Sequence, residues 1–225
     1  MNRFYAMISR MKYIDRWGLM NNTRTENISE HSLETAILAH ALVNIANIRL
    51  GENLNADRAA VIGMFHDAGE IITGDMPTPI KYYNPSIKDA YKAVEKVAED
   101  RLVSMLPDDL QDIYRPVISN EDEVLERYVK AADKISALIK CIEEVRMGNN
   151  EFQKAKESTE QAIGEIDLPA LKIFMEECMP AYYLTLDELG CFSRHAIQYV
   201  VRFVSQRINT CKKSMNFGFN SNLEN

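Results

Sequence analysis

Nowhere in the 225 residues does an uninterrupted apolar run approach the ~20 residues that a membrane-spanning helix needs. The amino terminus, MNRFYAMISRMKYIDRW, lacks the continuous apolar core of a signal peptide. Cysteine is sparse and dispersed: Cys141, Cys178, Cys191 and Cys211 form no CxxC pair, which excludes a zinc knuckle and a dense disulfide framework. Reduced thiols and a cytoplasmic location are expected. Basic charge is also in short supply. The formal net charge of −7 lacks the basic footprint that a general binder of nucleic-acid polymers requires. A small anionic substrate remains open, because a bound metal ion reverses the local sign of a site. The chain shows no internal repeat, no low-complexity tract, no dividing linker and no alternating strand pattern.

What is present is helical periodicity, in a chain that is 46% hydrophobic and 26% charged, an ordinary balance for a folded protein. The expected fold class is all-α. A short helix is predicted around Phe4 to Met11, followed by a polar loop from Asn21 to Asn27. Asn27 or Ser29 can cap a helix whose apolar positions are Leu33, Ile37, Ala41 and Ile45. Asn55 can cap the next, which runs through Ala59, Ile62 and Phe65 towards His66. Gly69, Gly74, Pro77 and Pro79 then predict a loop over Thr73 to Lys81. A long helix after Pro85 carries Ala90, Val94 and Val97 to Met105, and Pro107 closes it. The clearest helix begins at Asn120, with Asn120 and Glu123 as a capping-box-like pair. Its stripe is Val124, Tyr128, Ala131, Ile135, Leu138, Ile142 and Val145, and Gly148 ends it. Two weaker helices cover Glu151 to Ile163 and Pro169 to Cys178.

Few residues are suited to chemistry. His66 is followed by Asp67, and Glu70 lies one helical turn later. An adjacent His and Asp diverge by roughly 100° on a helix, so both can reach one ion between them. His31 follows Glu30 at the start of another helix. Asp133 stands among Ala131, Ala132, Ile135 and Leu138, where an unpaired charge is costly, so a cation or metal is expected beside it. Two imidazoles and two carboxylates form a mixed nitrogen and oxygen set that suits Mn, Co, Fe, Ni or Zn with positions left for water. Plainer roles compete: a surface carboxylate near Lys130 and Lys134 for Asp133, an exposed first-turn imidazole for His31. Arg16 has the planar fork that matches phosphate, or it pairs with Asp15 or Glu26. Trp17, the single tryptophan, is otherwise a core residue, and Asp75 after Gly74 otherwise makes a turn. His40 and His195 carry no assignment.

Four stretches are more specific than the His-Asp pair: RWGLMNNTRTENISEHS (16–32), MFHDAGEIITGDMPTPIKYYN (64–84), VKAADKISALIKCIEE (129–144) and GNNEF (148–152). In these the chain resembles the HD superfamily, and most closely the bacterial 5′-deoxynucleotidase family of the YfbR type, from about Arg10 to Gly190. The resemblance implies one divalent metal ion, with Co or Mn foremost, held by His31, His66, Asp67 and Asp133. It implies Glu70 as the acid/base residue. Arg16 and Trp17 would meet phosphate and sugar, and Asp75, Met76, Pro77 and Thr78 would line the sugar pocket. The implied substrate is a deoxynucleoside 5′-monophosphate, and the implied assembly a homodimer. Other readings are an HD phosphohydrolase for a triphosphate, a cyclic dinucleotide or a guanosine polyphosphate, or a nucleotide-binding regulator without catalysis. Residues 1–190 are expected to form the phosphohydrolase domain. Residues 191–225 follow no family pattern and are expected to add one helix and a disordered tail.

Overall fold

The computed structural model describes residues 1–81 and 83–190; the extension predicted over 191–225 lies outside the described residues. The chain forms two units, Met1–Cys178 and Met179–Asn225. In the first are the helices α1 (Phe4–Ile8), α2 (Ile28–Leu50), α3 (Ala56–Phe65), α4 (Glu70–Thr73), α5 (Thr78–Lys81), α6 (Pro85–Val103), α7 (Asp108–Ile118), α8 (Glu123–Arg146), α9 (Gln153–Gly164) and α10 (Pro169–Glu177). Among the described residues the sole extended pairing is an isolated bridge between Asp15 and Asn27. No described helix is long and apolar enough to cross a membrane. In the second unit a 3-10 turn spans Met179–Tyr183.

Asn27 is the cap of α2, in a complete capping box with Glu30, which satisfies orphan amides at that end. The buried face of α2 is not the predicted one. Leu33 and Ile37 are 57% and 61% exposed, while Ile28, His31, Ser32, Thr35, Ala36, Leu38, Ala39, Leu42, Val43 and Ala46 are buried. Close packing explains the exchange. A Cβ on Gly63 of α3 would stand 2.8 Å from Ala36 Cα and 3.0 Å from its backbone nitrogen, so at this point α2 and α3 leave no room for a larger side chain. In α6, too, Ala90, Val94 and Val97 are exposed and Tyr91, Ala98, Leu102 and Val103 are buried.

Three further expectations are corrected. The helix α7 has no counterpart in the sequence reading. It follows Pro107, opens with Asp108 and Asp109 and tolerates Pro116 near its end, with acids placed where the helix dipole favours them. Its Ile118 joins Phe4, Ala68, Leu102, Val103 and Leu106 in a core cluster, with Phe65 and Tyr114 packed against it. The cap of α8 is Asp122, whose side chain accepts from Leu125 N at 3.0 Å; Asn120 instead takes a left-handed φ of 45°. Thr78–Lys81, expected within a loop, closes into the single turn α5 because Ile80 N and Lys81 N bond to Pro77 O. The predicted α8 stripe is buried from Tyr128 through Ala131, Ile135 and Leu138 to Ile142, whereas at its ends Val124 is exposed and Val145 half-buried.

Candidate active site

The site begins where α3 stops. His66 is the residue after the last turn of α3, and the chain bends through His66–Gly69 before α4 restarts at Glu70. The His-Asp pair therefore sits on a turn rather than within one continuous helix, and this bend places Glu70 beside Asp67. His66 Nδ1 lies 2.7 Å from Gly63 O. A carbonyl only accepts, so Nδ1 carries a proton, and in the neutral ring Nε2 presents its lone pair.

His31, on the first turn of α2, and Asp133, midway along α8, meet this turn. Asp67 Oδ2 lies 3.2 Å from His66 Nε2 and 3.5 Å from His31 Nε2, and Asp133 Oδ1 lies 3.1 Å from His31 Nε2. The imidazole centroids are 5.1 Å apart. None of these approaches is aligned as a hydrogen bond: both Nε2 atoms are buried without a hydrogen-bond partner. A buried unsatisfied group costs about 1–3 kcal/mol, so two of them facing two carboxylates mark a place for a cation. His31, His66 and Asp133 each offer a ligand atom within 4.8 Å of the others. The donors and their spacing fit a divalent ion with nitrogen and oxygen ligands.

Electrostatics follow the burial. Burial, with the Arg16 charge beside it, lowers the His31 pKa against the opposing Asp133 and Asp67 carboxylates. Burial would raise Asp67, but the His66 and His31 imidazoles hold it well below the usual carboxylate range. Glu70 goes the other way. It is 7% exposed, its Oε2 has no hydrogen-bond partner, and burial with the Asp67 and Asp75 charges pushes it up to about 10. Asp75 is raised by burial, against the opposing Arg16 charge and the Trp17 backbone N–H.

Arg16 and Trp17 lie on the segment before α2. Arg16 Nη1 donates to Glu26 Oε2 at 2.9 Å, and Nη2 lies 3.9 Å from Asp133 Oδ1. Thus the expected pairing with Glu26 and a position beside Asp133 hold together. Trp17 Nε1 donates to the same Glu26 oxygen at 3.0 Å, and its ring is tilted on Phe152 at 5.4 Å. Trp17 adopts a left-handed φ of 59°. Its carbonyl is held by Met20 N at 2.8 Å and Asn22 Nδ2 at 3.3 Å.

A cavity of about 290 Å³ opens beside His66, Asp67, Glu70 and Asp133, with Lys81, Lys92 and Lys130 in its wall. Among the described residues its lining includes none of Arg16, Trp17, Asp75, Met76 and Pro77, the last two being half-buried; Thr78 begins α5. Three residues escaped the sequence reading: Lys81, Ser136 and Glu34. Lys81 Nζ bonds Glu95 Oε1 at 2.8 Å and lies 4.9 Å from the Tyr91 ring centroid. The usable signal for Ser136 was a hydroxyl one turn beyond Asp133 in an otherwise apolar stripe.

A family model described as 5′-deoxynucleotidase YfbR-like matches residues 3–182. The chain belongs to the YfbR-like 5′-deoxynucleotidase family. Among curated relatives of the family, the 5′-deoxynucleotidase YfbR of Escherichia coli O1:K1 is 48% identical over 194 residues, covering 84% of this chain and 96% of that protein. The protein of the same name from Shigella dysenteriae serotype 1 is 47% identical over the same coverage. Solved structures extend the likeness of fold. An HD-domain phosphohydrolase from Listeria innocua aligns with a TM-score of 0.71 at 20% identity, covering 92% of this chain and 97% of its own. A cyanophage S-2L HD phosphohydrolase, solved with dA and one catalytic Zn2+ ion, aligns with a TM-score of 0.56 at 19% identity, covering 80% of this chain and 96% of its own. The family resemblance drawn from the four sequence blocks holds, as does the all-α HD fold.

Proposed function

We propose that the chain is a divalent-metal-dependent 5′-deoxynucleotidase, hydrolysing deoxynucleoside 5′-monophosphates to deoxynucleoside and phosphate. The observation that carries this reading is the pair of partnerless buried Nε2 atoms of His31 and His66 facing Asp67 and Asp133, in a chain of this family. These four residues would hold the ion, drawn from Co, Mn, Zn, Ni or Fe. When bound, such an ion lowers the pKa of water and neutralises charge on phosphoryl oxygens.

The remaining roles belong to side chains. Arg16, anchored through Nη1 on Glu26, presents its other edge to a phosphate, and phosphoryl transfer demands chiefly such positioning and electrostatic support. Glu70 Oε2 has no hydrogen-bond partner, and Glu70 is not needed to complete the ligand set, so it is free for proton transfer. Trp17 occupies the space that a 2′-hydroxyl would need. Asp75 accepts from the 3′-hydroxyl, with Met76, Pro77 and Thr78 beside the sugar.

A homodimer is part of the proposal. Leu33, Ile37 and Ile48 of α2 and Val61 and Met64 of α3 are exposed large apolar residues, and such surface is commonly covered by a partner. A cytoplasmic setting suits the free thiols of Cys141 and Cys178. The deciding experiment is phosphate release from a panel of ribo- and deoxyribonucleoside mono-, di- and triphosphates with each candidate metal. Preference for deoxynucleoside monophosphates is expected; turnover confined to triphosphates or ribonucleotides overturns the reading.

A further inference from the structure

We propose that Ser136 and Glu34 are positioning residues for the metal site, joined in a relay that fixes His31 with its proton on Nδ1 and its lone pair on Nε2. The inference rests on the metal reading above and extends it to two side chains that touch no reacting atom.

The relay crosses between helices far apart in sequence. Ser136 Oγ of α8 lies 2.9 Å from His31 Nδ1 of α2, and the same hydroxyl donates to Glu34 Oε2 at 2.6 Å. His31 and Ser136 are both 0% exposed, so water cannot substitute for either partner. A serine hydroxyl has one proton to give. It is given to Glu34, so Oγ faces His31 as an acceptor, and Nδ1 must be the donor. In the neutral ring Nε2 is then the unprotonated nitrogen, at 3.1 Å from Asp133 Oδ1 and 3.5 Å from Asp67 Oδ2. His66 reaches the same state by a simpler route, through the carbonyl of Gly63. A serine in a helix interior can turn its hydroxyl to solvent or back to its own helix's carbonyl four residues earlier. Here it is directed to the neighbouring helix instead. Glu34 is not sealed off: a separate cavity of about 190 Å³, lined in part by Glu34, Arg24 and Lys140, borders its side of the relay. Orienting a ligand imidazole through its second nitrogen typically changes metal affinity 10–100-fold.

Two measurements test the relay. In the metal-free full-length chain with 15N-labelled histidine, long-range proton–nitrogen correlation should show His31 as the Nδ1–H tautomer. Chelator competition with Zn2+ as probe should show Ser136→Ala and Glu34→Ala binding on the order of 10–100-fold more weakly than the parent, with Ser136→Thr close to the parent. An Nε2–H tautomer in the parent overturns the proposal, as does unchanged zinc affinity in Ser136→Ala. Should Ser136→Ala lose its helical circular dichroism, the parent tautomer and Glu34→Ala decide. A parent that takes up no zinc at all overturns the metal reading itself; one that binds zinc as tightly as its Ser136→Ala variant overturns the relay alone.

Discussion

The indole Nε1 of Trp17 donates to Glu26 Oε2 at 3.0 Å, the same oxygen that accepts Arg16 Nη1 at 2.9 Å. One carboxylate thus sets the distance between the proposed phosphate and sugar contacts. Holding the bulky Trp17 at a φ of 59° costs roughly 1–2 kcal/mol, which the bonds to its carbonyl and indole offset. Discrimination by a rigid ring in this position works by exclusion, rejecting the ribose without adding a contact for the deoxyribose. Trp17→Ala should therefore raise activity on ribonucleotides relative to deoxyribonucleotides by on the order of 10-fold, the scale of a steric pocket contact, with metal content unchanged. A folded variant that keeps the parent's preference removes Trp17 from selection.

Asp67 approaches both imidazoles, so its loss would leave a bound cation without the carboxylate that bridges the two rings. Asp67→Ala should abolish tight metal binding and turnover together. Metal content by elemental analysis after gel filtration checks this, and a variant with full content and activity refutes the ligand assignment.

Glu70 should behave differently from Asp67. Glu70→Ala is expected to keep its metal and its nucleotide affinity while kcat falls by ~10²–10⁴, the usual contribution of a positioned acid or base. Equal losses of metal and activity would make Glu70 a ligand instead.

Gly63 tests the packing that brings the elements together. Alanine there would press a methyl to 2.8 Å from Ala36 Cα, and backbone cannot yield as a side-chain end can. Gly63→Ala should lower stability by about 1–3 kcal/mol, the range for overpacking, read as a lower urea midpoint at unchanged slope.

Glu144 should make the fold acid-sensitive. It is 1% exposed and accepts from Thr23 N at 2.9 Å, Arg24 N at 3.1 Å and Asn149 Nδ2 at 2.8 Å, besides pairing with Lys140. Burial alone would raise its pKa, but these donors hold it well below the usual carboxylate range. A carboxylate depressed on folding stabilises above its unfolded pKa of about 4.3, and that contribution is lost as pH falls towards the folded value. Unfolding midpoints should thus drop steeply below about pH 4 in the parent. In Glu144→Gln they should be lower at neutral pH and change less with acid; parallel curves would contradict the assignment.

Much of this could be read from residue order. The all-α class and the buried α8 stripe follow from periodicity, which registers each residue's neighbours one turn away. The cap at Asn27 was one of two open choices, because Asn27 and Ser29 have the same local chemistry. The His-Asp pair and its flanking blocks identified the family because those residues are contiguous. The helix α7 went unread, since Pro116 and its charged first turn hide a face that packs only when Phe4 and Leu102 arrive from elsewhere.

Which apolar stripe is covered was decided in three dimensions. Leu33 and Ile37 lie on an apolar row of α2 that stays exposed, while the buried face carries Thr35, Ala36 and Ala39 beside Leu38, Leu42 and Val43, with Gly63 closing directly on the backbone of Ala36. The same packing brings His31, from the second helix, onto the turn that bears His66 and Asp67, and lets Ser136 reach it across 105 positions of chain. No periodicity spans that interval. Local order registers turns and faces, whereas the alignment of lone pairs, donors and charges at one point exists only once distant helices have met.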